Sequence, residues 1–227
     1  MEAMVQEEKV HKPKPSLFGM IWAPVQQFEK MRENAPIWGP LLILAVLNAV
    51  LGGIAAYFAA GSPQLQEARD ILGEGGKGLK MFAVGGAVAA GLFGTPIGLA
   101  ITALFYKVCM MILSNDTPYR KLFSILIFAG IITALGSLIN TLLLAALGGE
   151  IASYTNFSSL FETGSLGFAI AGAFDVFAIW RLILVGIGLY IAAGLSKNKT
   201  IGLLVVIFVL GLLFAGGSAF LPTPPMP

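Results

Sequence analysis

Few side chains in this sequence could do chemistry, and their types and spacing narrow what that chemistry could be. Arg181 and Asp175 stand in otherwise apolar sequence, as do the amides Asn48 and Asn140. An arginine among such groups could serve a proton or anion path, or act as a structural clamp. Cys109 is the only cysteine and lies in an apolar run. No intrachain disulfide can form, and a small buried hydrophobe is expected there rather than a reactive thiol. His11 is the only histidine, and one Cys with one His cannot fill a tetrahedral metal shell. No metal and no cofactor is expected. The run Gly73-Glu-Gly-Gly-Lys-Gly78 lacks the spacing and the following Ser/Thr of a phosphate loop and reads as a linker. There is no H-E-x-x-H motif. An intramembrane aspartyl pair would need a second aspartate beside Asp175, and a Ser–His pair would need a histidine within the apolar runs. No enzyme is expected.

The elements that must position these residues are written for lipid. Of 227 residues, 57% are hydrophobic and 11% charged, against about 25% charged in a soluble domain. Such a chain cannot cover a water-facing surface. The net charge of +2 leaves no nucleic-acid footprint. A bilayer core of ~30 Å takes ~20 helical residues, and the sequence predicts an all-α integral membrane bundle of five transmembrane helices. The spans are expected at about 37–60, 79–113, 122–147, 168–195 and 201–221, with a short outer tail at 222–227. The block at 79–113 is too long for one straight span and has no polar turn near Gly94, so a single tilted or kinked helix is expected. Residues 1–36 read as a polar tail followed by an amphipathic segment. There Phe18, Ile21, Trp22, Val25 and Phe28 follow helical spacing and Pro24 opens a second short helical piece. That segment either lies in the membrane interface or packs on the rest of the protein.

Orientation follows from the basic residues. With the N-terminus inside, the inner segments 1–36, 114–121 and 196–200 hold five, two and two Lys or Arg. The outer segments 61–80, 148–167 and 222–227 hold three, none and none. Nine against three predicts a cytoplasmic N-terminus and an outer C-terminus in the cell membrane. The five basic residues of 1–36 are matched by five acidic ones, so the pull on anionic lipid is expected to be weak.

Lipid gives helices no hydrophobic reason to associate, so small residues spaced four apart mark expected contact faces. Ala45, Ala49 and Gly53 form one such stripe, Gly94 and Gly98 a second, and Thr133, Ser137 and Thr141 part of a third. An arginine within a span costs ~2.5–3.5 kcal/mol on an insertion scale, so Arg181 is expected to face the interior and bond Asn48, Asn140 or Thr141, or lipid headgroup oxygen. Asp175, six residues away, points to a different face of a regular helix.

Three stretches carry a family resemblance: WAPVQQFEKMRENAPIWGPLLIL at 22–44, PYRKLFSILIFAGI at 118–131, and FDVFAIWRLILVGIGLYIAAGLSKNKTIGLLVVI at 174–207. In these the chain resembles the YIP-domain family of five-span membrane proteins, named for relatives that interact with Rab-type GTPases. The resemblance implies a partner-binding role without catalytic residues. Among bacterial members it implies an accessory subunit beside ABC exporter subunits that remove a toxic peptide. The expected partners are membrane lipid and a membrane protein, with a homo-oligomer also compatible. The rival expectation is a small transporter or channel with a polar site around Arg181. The two differ in whether Arg181, Asp175, Asn48 and Asn140 line one cavity or are spread and individually satisfied.

Overall fold

The computed structural model describes residues 14–61, 71, 73, 78–147 and 153–218, and all regular structure there is helical. The tail at 1–13, most of the 61–78 loop with its glycine-rich run, and the end at 222–227 lie outside the described residues. A 3-10 turn at Phe18–Met20 leads to α1 (Pro24–Lys30) and α2 (Trp38–Ala59). Then α3 (Leu79–Ala89) runs through a π turn at Ala90–Gly94 into α4 (Thr95–Ile112). Helix α5 spans Tyr119–Leu147 and a 3-10 turn lies at Ser158–Leu160. The chain closes with α6 (Leu166–Gly172), α7 (Val176–Ile191) and α8 (Lys197–Ser218).

Among the described residues, four continuous helical stretches are long and apolar enough to cross a membrane: α2, α3 through α4, α5 and α8. The pair α6–α7, bent by 48°, makes a fifth when taken together. Helices are what lipid permits, because each backbone polar group must find its partner within the segment. The 79–113 block is one long helix, as its lack of a polar turn predicts. Its irregularity has a local cause. Pro96 has no N–H to donate, and the wider turn before it sends the Thr95 N–H back to the Ala90 carbonyl. The expected fourth span at 168–195 is not one helix. It breaks at 173–175, and Asp175 starts the second piece.

Helix α5 is the centre. In its apolar window 72% of residues lie inside the protein, against 11% for α8. Ile125, Ile127, Phe128, Ala129 and Ile132 are fully buried. Helices α2, α4 and α7 pack on it, α3 and the π turn pack on α2, and α8 lies along α6 and α7. The N-terminal segment packs too. Met20, Phe28 and Met31 are fully buried, whereas Trp22 on the opposite side is 72% exposed. The inner face therefore belongs to the bundle, with α1 against α7. Gly188 makes this fit, since a Cβ there would collide with Phe28 and Ile125.

One end of the bundle is tied by basic side chains on helix-terminal carbonyls. Arg32 Nε donates to the Ile191 carbonyl at 2.9 Å, Lys121 Nζ to Arg32 at 3.1 Å and Lys199 Nζ to Leu113 at 2.7 Å. Lys107 Nζ donates at 3.0 Å to the Thr117 carbonyl in the loop before α5. Carbonyls left open at helix C-termini are favourable sites for cations.

The expected glycine stripe on the second span needs correction. Gly94 and Gly98 are exposed, and a Cβ at Gly98 would meet nothing. The close approach is at Gly91, where a Cβ would run into the backbone of Asn48 and Ala49. The stripe on the first span is engaged: Ala45, Ala49 and Gly53 are buried. The π turn explains the shift. One extra residue rotates the remainder of the helix by ~100°, so Gly94 and Gly98 leave the face that Gly91 occupies. Gly91→Val is therefore expected to destabilise the protein by about 1–3 kcal/mol, the usual cost of overpacking. Gly98→Ala should stay within about 0.5 kcal/mol of the parent. Thermal unfolding of both variants in mild detergent checks this, and equal midpoints would contradict the packing at Gly91.

Candidate functional site

Helices α2 and α7 both pack on α5 rather than on each other, which leaves a space over the face of α5 between them. A cavity of about 650 Å³ fills it. Asn48 of α2, Thr95 of α4, Asn140 of α5, Ser153 of the following loop, and Asp175 and Arg181 of α7 all line it. So do Thr133, Ser137 and Thr141, which the spacing rule placed at a helix contact. Thr133 and Ser137 are exposed, and their role is to floor the cavity rather than to close a helix pair. The residue of α5 that admits close approach is Gly136, where a Cβ would strike Phe177.

The structure brings Asn48, Asn140, Asp175 and Arg181 to one cavity, and it satisfies three of them locally. Asn48 Nδ2 donates to Thr95 Oγ1 at 3.1 Å. Asn140 Nδ2 donates to the Gly136 carbonyl at 3.0 Å and to Thr155 Oγ1 at 2.9 Å, and its Oδ1 accepts from the Tyr154 N–H at 2.7 Å. Asp175 is the N-cap of α7. Its Oδ1 accepts from the N–H groups of Phe177 and Ala178 at 3.0 and 2.9 Å, and its Oδ2 accepts from Thr155 Oγ1. A carboxylate at this position satisfies N–H groups that a helix start leaves open and complements the positive end of the helix dipole.

Arg181 is the exception, and its expected protein partners are corrected. It bonds neither Asn48, Asn140 nor Thr141, whose hydroxyl donates to the Ser137 carbonyl at 2.7 Å. Among the described residues its guanidinium has no hydrogen bond and no ion pair, and Tyr106 of α4 is close enough to interact with it electrostatically. It is the sixth residue of α7, about 7.5 Å along the axis from the helix start.

The residues that sequence reasoning missed are Ser153, Tyr154 and Thr155. Nothing in a short polar run before Asn156 tells that it folds back onto Asn140 and Asp175. The Tyr154 hydroxyl is buried without a partner among the described residues. No three of His, Cys, Asp and Glu come together among the described residues. The available chemistry is hydrogen bonding and one positive charge.

Capping by Asp175 is testable. Asp175→Ala is expected to cost about 1–2 kcal/mol, while Asp175→Asn, which still accepts at the cap, should cost less than half of that. Equal losses in chemical or thermal unfolding would show that charge, not capping, is what Asp175 provides.

Comparison with known proteins agrees with the helical membrane architecture. A Yip1 domain model matches residues 18–218. The chain is similar to membrane protein YknW of Bacillus subtilis (strain 168), 31% identical over 212 residues that cover 88% of this chain and 87% of that one. No solved structure matches. The domain match begins in the buried turn before α1 and ends with the last residue of α8, so the membrane bundle as a whole belongs to the Yip1 domain family.

Proposed function

We infer that this protein is a non-catalytic membrane accessory protein that assembles with a larger membrane machine, an ABC-type exporter of toxic peptide being the favoured partner. The observation that carries the reading is the unpartnered flank of the bundle. Helix α8 packs on α6 and α7 and leaves Ile201, Val205, Val209 and Leu213 exposed. Such a flank meets lipid and offers a second membrane protein a helix face. Its association would rest on packing, since lipid tails are as apolar as the helix. The polar groups of the cavity support a non-catalytic role, because Asp175 spends both oxygens on structure. The gathering of Arg32, Lys107, Lys121 and Lys199 at one end supports a cytoplasmic N-terminus in the cell membrane.

A second reading, a small transporter or channel in its own right, is favoured by the cavity around Arg181. A polar cavity beside broken helices is a recurrent feature of transporters.

Capture of the tagged protein from native membranes in mild detergent, with mass spectrometry of the proteins that accompany it, separates the two. The accessory reading predicts exporter subunits at near-stoichiometric amounts. It also predicts about tenfold lower recovery, the loss of ~1.4 kcal/mol, when Val205 and Val209 are both replaced by Trp without loss of folded protein. Recovery of the protein alone, repeated after crosslinking, would refute the accessory reading. Flux in proteoliposomes that is lost with Arg181→Gln would establish the second.

A further inference from the structure

We propose that the cavity over α5 is a binding site for the oxyanion of a phosphate group, held by Arg181 together with the hydroxyls of Thr133 and Ser137. Charge accounting within the cavity leads there. Among the described residues that line it, the one carboxylate, Asp175, has its Oδ1 committed to the start of α7 and its Oδ2 to Thr155. The one cation among those residues, Arg181, has no hydrogen bond or ion pair among the described residues; the Asn140 Oδ1 accepts from the Tyr154 N–H instead, and Asn48 bonds Thr95. A positive charge in a lipid-embedded bundle is costly unless it is paired.

The hydroxyls of Thr133 and Ser137 complete the site. They lie four residues apart on one face of α5, open to the same cavity and without a hydrogen-bond partner among the described residues. A guanidinium with two hydroxyl donors is a suitable set for a phosphate, because charge-assisted bonds to oxyanions are the strong ones. Leu51, Ala55 and Leu144 add apolar wall, which suits a molecule with an acyl body behind an anionic head. The volume falls in the range of small-molecule sites. The phosphate could reach the cavity on a membrane phospholipid or as a free solute; both present the same oxyanion. The inference concerns occupancy of the cavity and is independent of the exporter reading. A bound anion without flux would support it while refuting transport.

The test uses the full-length protein in mild detergent. Native mass spectrometry follows a titration with phosphatidylglycerol, and thermal unfolding follows a titration with inorganic phosphate. Wild type is compared with Arg181→Gln, with Thr133→Leu, which fills the cavity and keeps the arginine, and with Arg120→Gln as a basic-residue control. The proposal predicts one retained phosphatidylglycerol whose affinity falls about tenfold or more in Arg181→Gln and Thr133→Leu and is unchanged in Arg120→Gln. Stabilisation by inorganic phosphate alone, lost in the same two variants, would also support the site and assign it to a soluble anion. If Arg181→Gln fails to fold, Thr133→Leu decides. Wild-type binding of both probes by a folded Thr133→Leu, or by a folded Arg181→Gln, overturns the proposal.

Discussion

Everything in this bundle depends on α5 being approached closely from several sides. Lipid supplies no hydrophobic drive between helices, so contact must come from packing and from polar bonds. The packing is local and specific: a Cβ at Gly130 would meet Leu44, and one at Gly136 would meet Phe177. The buried hydroxyl of Ser124 adds a polar tie, donating to the Pro36 carbonyl at 2.8 Å and fixing where α2 begins against α5. With α2 and α7 each committed to α5, neither closes on the other. The cavity is the consequence, and its floor carries Thr133 and Ser137.

The two helix irregularities meet at this cavity. The π turn at Ala90–Gly94 delivers Thr95 to Asn48, and the break before α7 delivers Asp175 to Thr155. Irregular backbone at membrane depth survives only where protein or a polar cavity satisfies it. Asn48, Asn140 and Asp175 are thus explained by the helix ends and loops they serve. Arg181 is not, because among the described residues no neighbour of opposite charge answers it, and that separates an arginine clamp from an arginine left facing a cavity.

The spans were legible because long apolar runs report directly on the solvent around them, and the single helix over 79–112 followed from the lack of a polar turn. The break before α7 was harder to see. Asp175 ahead of an apolar run is a capping signal, but it sits inside a stretch apolar enough to read as one span. Which glycine makes contact was not legible at all. Gly91, Gly94 and Gly98 share a face on a regular helix, and only the π turn separates them. Asn48, Asn140, Asp175 and Arg181 could be singled out by polarity in apolar sequence. Their partners Thr155 and Tyr154 could not, since a loop returning to the bundle leaves no periodic trace.

The most direct measurement of the central claim is the water accessibility of the α5 face under the cavity. Single cysteines would be placed at Ser137 and at Ala129 in a Cys109→Ala background. In native membranes each would be treated with a small charged thiosulfonate, which reacts with thiolates in contact with water. The account predicts rapid modification of Ser137→Cys, slowed by filling the cavity through Thr133→Leu. It predicts no modification of Ala129→Cys, which is fully buried two turns away on the same helix. Equal protection at both positions would mean that α5 is sealed on that face and that Arg181 has no cavity to serve.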